Sequence, residues 1–214
     1  MKNEIVLHGR LALSPRVSHS NHGEEFYIFP LRVRRLSGAE DRLNVVVGER
    51  LLRLCPVEEG DEVTVQGQVR SFNDHTAVKN RLVITAFARQ LRREPGPDEN
   101  RLELAGVLCK QPTFRRTPLG RDICDMMLAV NRPYGRADYL PCISWGALAY
   151  RCARLDVGAS VVLEGRLQSR VYTKRLEDRE ELRTAFEVSV MTMDAEQGPL
   201  NSATEYSEEG TVDV

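Results

Sequence analysis

Between Val161 and Lys174 the chain reads VVLEGRLQSRVYTK, and its side chains sort by parity. Val161, Leu163, Leu167 and Val171 fall on one face, while Arg166, Gln168, Arg170, Tyr172 and Lys174 fall on the other. Successive side chains of a strand point to opposite faces, so this alternation predicts a strand with one side in a core and the other in water. Residues 139–145, YLPCISW, divide in the same way, with Tyr139, Pro141, Ile143 and Trp145 on one side and Leu140, Cys142 and Ser144 on the other. Pro141 cannot donate to a ladder, so a bulge there could change the parity. The stretch between the two, WGALAYRCARLDVG, changes period: Leu148, Cys152 and Leu155 stand at i, i+4 and i+7, which predicts a short helix stopped by Gly158.

This succession occurs twice. Displaced by 97 positions, NEIVLHGRLALSP (3–15) lies over NRLELAGVLCKQP (100–112), matching Asn3 with Asn100, Gly9 with Gly106, Leu11 with Leu108 and Pro15 with Pro112. The match continues through Gly23 and Gly120, Leu31 and Leu128, and Cys55 and Cys152; after one inserted residue, Gly60 meets Gly158 and Gly67 meets Gly165. Self-similarity at a fixed displacement marks a duplicated module. Each copy reads as three strand runs, a short helix and two more strands. That order predicts an all-β chain of tandem OB-folds, five-stranded Greek-key barrels each with a short helix between strands three and four. The expected units are a diverged OB-fold at 1–91, a linker at 92–99 stiffened by Pro95 and Pro97, a second OB-fold at 100–193 and an acidic, disordered tail at 194–214.

Composition excludes several classes. No apolar run approaches the roughly 20 residues that cross a bilayer, and MKNEIVLHGR lacks the apolar stretch of a signal peptide, so a cytoplasmic protein with no membrane partner is expected. Five cysteines without a CxxC pair suggest buried thiols rather than disulfides or zinc. His19 and His22 lack companion ligands, so no metal or other cofactor is expected. The acidic run EDREE (177–181) reads as a solvated loop tip, and no nucleophile elbow or glycine-rich phosphate loop is present, so the chain is not expected to be an enzyme. Residues 1–193 carry 30 Lys and Arg against 25 Asp and Glu, whereas 194–214 carry none against 6. A mildly basic body with an acidic tail suits a polyanionic partner, and suits an ordinary solvated surface equally well.

The aromatic residues sharpen the choice. Aromatics make up only 6% of the chain, yet Tyr134, Tyr139 and the single tryptophan, Trp145, fall close together, and Tyr172 stands in a file with Arg166 and Arg170. A ring among arginines offers a base a stacking face while cations meet phosphates, the two things single-stranded nucleic acid needs. Barrel side chains beside an ordinary basic surface are the other reading, and Ile143 on the same face favours it.

The second copy resembles the bacterial single-stranded DNA-binding protein family along nearly its whole length. The likeness lies in an R-x-TP-x-G turn (Arg115, Thr117, Pro118, Gly120), in LAVNRP, and in LDVGASVVLEGRLQSRVY. The resemblance implies that Tyr134, Tyr139, Trp145 and Tyr172 occupy the family's base-stacking positions, with phosphate contacts expected from Arg115, Arg132, Arg166, Arg170 and Lys174. It implies sequence-independent binding and protection of single-stranded DNA in replication, recombination and repair, at the nucleoid. A primosomal or recombination accessory protein whose OB-folds mainly bind other proteins is the alternative.

The first copy departs from the family pattern: the four positions carried back fall on Ser37, Arg42, Gly48 and Asp74. Phe72 and, less strongly, Phe26 are its nearest aromatics, and it is expected to serve assembly more than binding, with Arg34, Arg35, Arg42 and Arg70 as cationic contacts. Family members usually join four OB-folds, so a two-barrel chain is expected to form a homodimer. The end of the chain, Val212, Asp213 and Val214, lacks the family's Pro-Phe tip, which puts recruitment of replication or repair proteins through it in doubt.

Overall fold

The computed structural model describes residues 2–74, 81–175 and 180–196. The side chains of Asp74, Arg81, Lys174 and Arg175 lie outside that description, as do His75, part of the EDREE run and the tail from 197. The first copy runs β1 (Asn3–Leu11), β2 (Arg16–Asn21), β3 (Glu24–Arg34), β4 (Glu40–Gly48), α1 (Glu49–Leu54), β5 (Glu62–Asp74) and β6 (Arg81–Arg93). The second repeats that order as β7 (Glu99–Leu108), β8 (Thr113–Arg116), β9 (Asp122–Asn131), β10 (Ala137–Trp145), α2 (Ala147–Cys152), β11 (Ser160–Arg175) and β12 (Glu180–Glu196). Residues 94–98 connect the two, and β12 extends three residues into the stretch read as tail.

In the first copy the hydrogen-bonded order β3-β4-β6-β5-β1 closes on itself through β1 and β3, with β4 and β6 the one parallel pair. In the second, β9-β10-β12-β11-β7 closes through β7 and β9. Each is the five-stranded Greek-key barrel of an OB-fold, filled by side chains such as Leu7, Phe29, Leu31 and Val65, and Leu104, Leu128, Leu140 and Leu167. An extra short strand, β2 or β8, lies along the edge of β3 or β9 where the sequence suggests only a turn. Every residue of both is exposed, so neither carries the one-sided apolar alternation that reveals a strand. With these set aside, α1 and α2 fall between the third and fourth barrel strands. Leu148, Cys152 and Leu155 face the core from α2 and the turn after it. The helix ends at Cys152 rather than at Gly158, whose φ of 93° instead serves the turn into β11, with its N–H bonded to Leu108 O at 2.8 Å.

The repeated residues do the same physical work twice. A Cβ on Gly67 would lie 2.0 Å from Phe87 O, and one on Gly165 would lie 2.2 Å from Ser189 O, so only glycine lets these strands approach their partners. The Asn3 side chain bonds both the N–H and the C=O of Val69 at 2.9 Å, and Asn100 does the same to Leu167 at 3.0 and 2.6 Å. Cys124, Cys142 and Cys152 are buried as expected, and burial pushes the Cys124 thiol up to about 11; Cys55 and Cys109 are only half-buried. Among the described residues no helix is long and apolar enough to cross a membrane.

The copies join edge to edge. Strand β1 pairs antiparallel with β7 from Asn3 opposite Leu104 to His8 opposite Glu99, and Ile5 stands opposite Leu102, its own counterpart in the repeat. A residue facing its own counterpart marks a local twofold axis. Two equivalent clasps flank it. Asp41, fully buried, accepts from Arg35 Nε at 2.7 Å and, across the boundary, from the N–H of Ser169 at 2.7 Å. Asp138, also fully buried, accepts from Arg132 Nε and from the N–H of Ser71, each at 2.5 Å, and Arg70 joins it at 3.2 Å.

Candidate nucleic-acid interface

Strand β10 ends on the barrel's outer face as its parity requires. Tyr139 is 50% and Trp145 39% exposed, while Leu140, Cys142 and Ser144 point inward and are buried. Ile143 shares the face of the two rings but is only 4% exposed, because it lies beneath a cleft of about 610 Å³. Trp145, Ile143 and Ile123 give this cleft its apolar surface, and Arg115, Arg121, Arg166 and Arg170 surround them, with Arg35 reaching in from the first copy. Strand β11 supplies Arg166 and Arg170 two pleats apart, and Arg170 lies 5.6 Å from the centroid of the Tyr172 ring, within cation–π range. The alternation therefore assigns the faces of β11 correctly up to Leu167. Gln168, on the polar face, is buried and bonds Glu187, and Val171, on the apolar face, is exposed where β11 runs on in a hairpin with β12.

The cations differ in how free they are. Arg115 is paired with Asp125 at 2.5 and 3.3 Å, and that bond raises its already high pKa, so it stays charged. The Nε of Arg166 is buried with no hydrogen-bond partner among the described residues, and such a donor in a cleft is a place for an acceptor. Arg132 is different: it grips Asp138 and donates to Ser71 O at 3.0 Å, so its guanidinium fastens the two copies together instead of standing open to a phosphate. The first-copy arginines Arg35 and Arg70 are likewise held, by Asp41 and Asp138. Desolvation lowers the pKa of Arg70, a departure that the Asp138 contact opposes. Lys174 lies in β11 opposite Glu181, with its side chain outside the described residues.

The rings do not form one row. Tyr134 sits at φ 64° in a turn of 3-10 helix over Pro133–Gly135 and is completely exposed. It borders a second cleft, of about 620 Å³, whose wall is the first barrel. Sequence reasoning misses Arg121 in the first cleft and Phe87 in the second, and weighs His19 only as a metal ligand. Arg121 follows Gly120 of the R-x-TP-x-G turn directly and could have been found by that spacing; Phe87 and His19 could not, because no motif covers them.

A sequence model described as Single-strand binding protein family matches residues 99–195. Single-stranded DNA-binding protein A of Bacillus subtilis is 31% identical over 116 residues, which cover 51% of this chain and 67% of that protein. The single-stranded DNA-binding protein of Halalkalibacterium halodurans is 35% identical over 99 residues, covering 43% of this chain and 56% of its own. The chain belongs to the single-strand binding protein family. It spans only about half the length of several curated relatives, 56% and 50% for two of them. Over both barrels, the crystal structure of wild-type single-stranded DNA binding protein from Thermus aquaticus superimposes with a TM-score of 0.75 at 20% identity, covering 94% of this chain and 97% of that one, so the two share a fold.

Proposed function

We propose that this protein binds single-stranded DNA with little regard to sequence, and that the half-exposed Trp145 in an arginine-lined cleft carries the reading. An indole that was only a core side chain would not stand at the mouth of a cleft among four arginines. Bases stack on aromatic faces whatever their identity, while guanidinium groups neutralise the backbone. Trp145, Tyr139, Tyr172 and Tyr134 take the bases, and Arg115, Arg166, Arg170 and Lys174 the phosphates, with Arg132 holding the copies in register. The role is to cover strands exposed in replication, recombination and repair, as a binder and not as an enzyme. Residues 100–193 form the main binding unit.

Because Trp145 is the only tryptophan, its emission reports on the cleft directly. Titration with oligo-dT is expected to quench it to saturation at a fixed nucleotide count. Trp145→Ala is expected to weaken binding by roughly 1–3 kcal/mol for oligonucleotides of any base composition. A loss confined to one sequence would mean that bases are read by their edges. No binding by any method would transfer the function to protein partners.

The twofold joining of two barrels in one chain leads us to propose a homodimer with four barrels. Light scattering at micromolar concentration is expected to give twice the chain mass, and a monomer there would end the proposal.

A further inference from the structure

Carried back position by position, the stacking residues of the second copy appear lost from the first: the counterpart of Trp145 is Gly48. The strand register tells a different story. In the second barrel Trp145 pairs across strands with Ile123; in the first, Gly48 pairs with Phe26, the counterpart of Ile123. The ring has moved to the opposite member of the same cross-strand pair, and cross-strand neighbours share a face about 5 Å apart. Gly48 itself offers no side chain to that face, and a Cβ there would meet the Glu24 carboxylate at 2.5 Å. Further along, Phe72 takes the place of Arg170, on the same side of β5 as Arg70, and is 52% exposed.

These exchanges make the second cleft richer in rings than the first, with Arg70, Arg132 and Arg136 also on its lining. Phe26 stacks on His19 with centroids 4.9 Å apart at 10°, and meets Phe87 at 5.9 Å. Phe72 lines the same cleft, and Tyr134 of the second copy borders it. The local twofold makes this cleft the counterpart of the one around Trp145: each has one barrel's face as its wall and the other copy's loop at its rim.

We infer that the first barrel is a base-stacking site in its own right, in which Phe72, backed by the Phe26 row, completes with Tyr134 a subsite for one or two bases of the bound strand. This rests on the single-stranded DNA reading above and changes the part assigned to the first copy, from assembly to direct contact. The two clefts then divide the chemistry. The Trp145 cleft sets one indole among four arginines, and the Phe72 cleft adds a larger group of rings, whose stacking salt does not weaken.

The test is a fluorescence-anisotropy titration of labelled oligo-dT, run at several salt concentrations with the full chain, Phe72→Ala, Phe72→Tyr and Trp145→Ala. Phe72 is half exposed, so Ala opens no core, and thermal melts of each variant check that the fold holds. Phe72→Ala is expected to weaken binding about five- to 150-fold, the fold-change of losing one stacked base, without altering the slope of affinity against salt. Phe72→Tyr is expected to restore the affinity. If Trp145→Ala weakens binding while Phe72→Ala matches the full chain, the first barrel is not a contact site and the broader reading survives. If the unaltered chain does not bind, the broader reading itself fails. A Phe72→Ala loss that Tyr does not rescue would point to packing and overturn the inference.

Discussion

Replacing Asp138 with Ala is expected to cost the fold about 3–5 kcal/mol, the largest effect of any single change considered, because it strips the partner from buried cations. The carboxylate is fully buried and receives Arg132, Arg70 and the N–H of Ser71 from the opposite copy. Without it two guanidinium groups less than a quarter exposed face each other uncompensated. The loss should show as a lower urea midpoint. Asp138→Asn, which keeps an acceptor but no charge, should fall between the two. A variant within 1 kcal/mol of the parent would mean that water reaches the clasp freely and that the pairing of β1 with β7 holds the copies unaided.

Affinity for single-stranded DNA is expected to drop about a thousandfold between roughly 50 and 500 mM salt. Each neutralised phosphate contributes about -0.7 to the log–log slope through counterion release, and four cations around the Trp145 cleft would give a slope near -3. Arg166→Ala should make the slope shallower by about 0.7. The arginine already paired with Asp125 should matter less, since exchanging one anionic partner for another releases fewer counterions. A slope close to zero would assign binding to stacking alone.

Much of the fold was legible because the repeat fixed it twice. Gly9, Gly67 and Asn3 recur at Gly106, Gly165 and Asn100 because both barrels have the same close strand approaches and the same buried amide pair, and alternation along β10 and β11 set the faces. Illegible were β2 and β8, which bury nothing, and the end of α2, where a turn glycine looked like a helix stop. Of the site, Arg166, Arg170 and Tyr172 were visible because charge and a ring alternate together along β11, and Trp145 because it is the single tryptophan at the end of β10. The clasp that holds Arg132 was not legible, because Asp138 is six residues away but the Ser71 that completes it is 61 residues away in the other copy. Phe26 was undervalued because a position-by-position transfer cannot see that a side chain has crossed to the neighbouring strand.

The pairing of Ile5 with Leu102 has a further consequence. Two barrels that meet as equals would, as separate chains, part on dilution; here residues 94–98 tether them, and their meeting is a unimolecular equilibrium that protein concentration does not move. Covalent union also ends the rule that a change on one side of a symmetric interface is a change on both. Arg70 can reinforce the Asp138 clasp while its counterpart, Gln168, bonds Glu187 instead, so each half is free to specialise without unfastening the other.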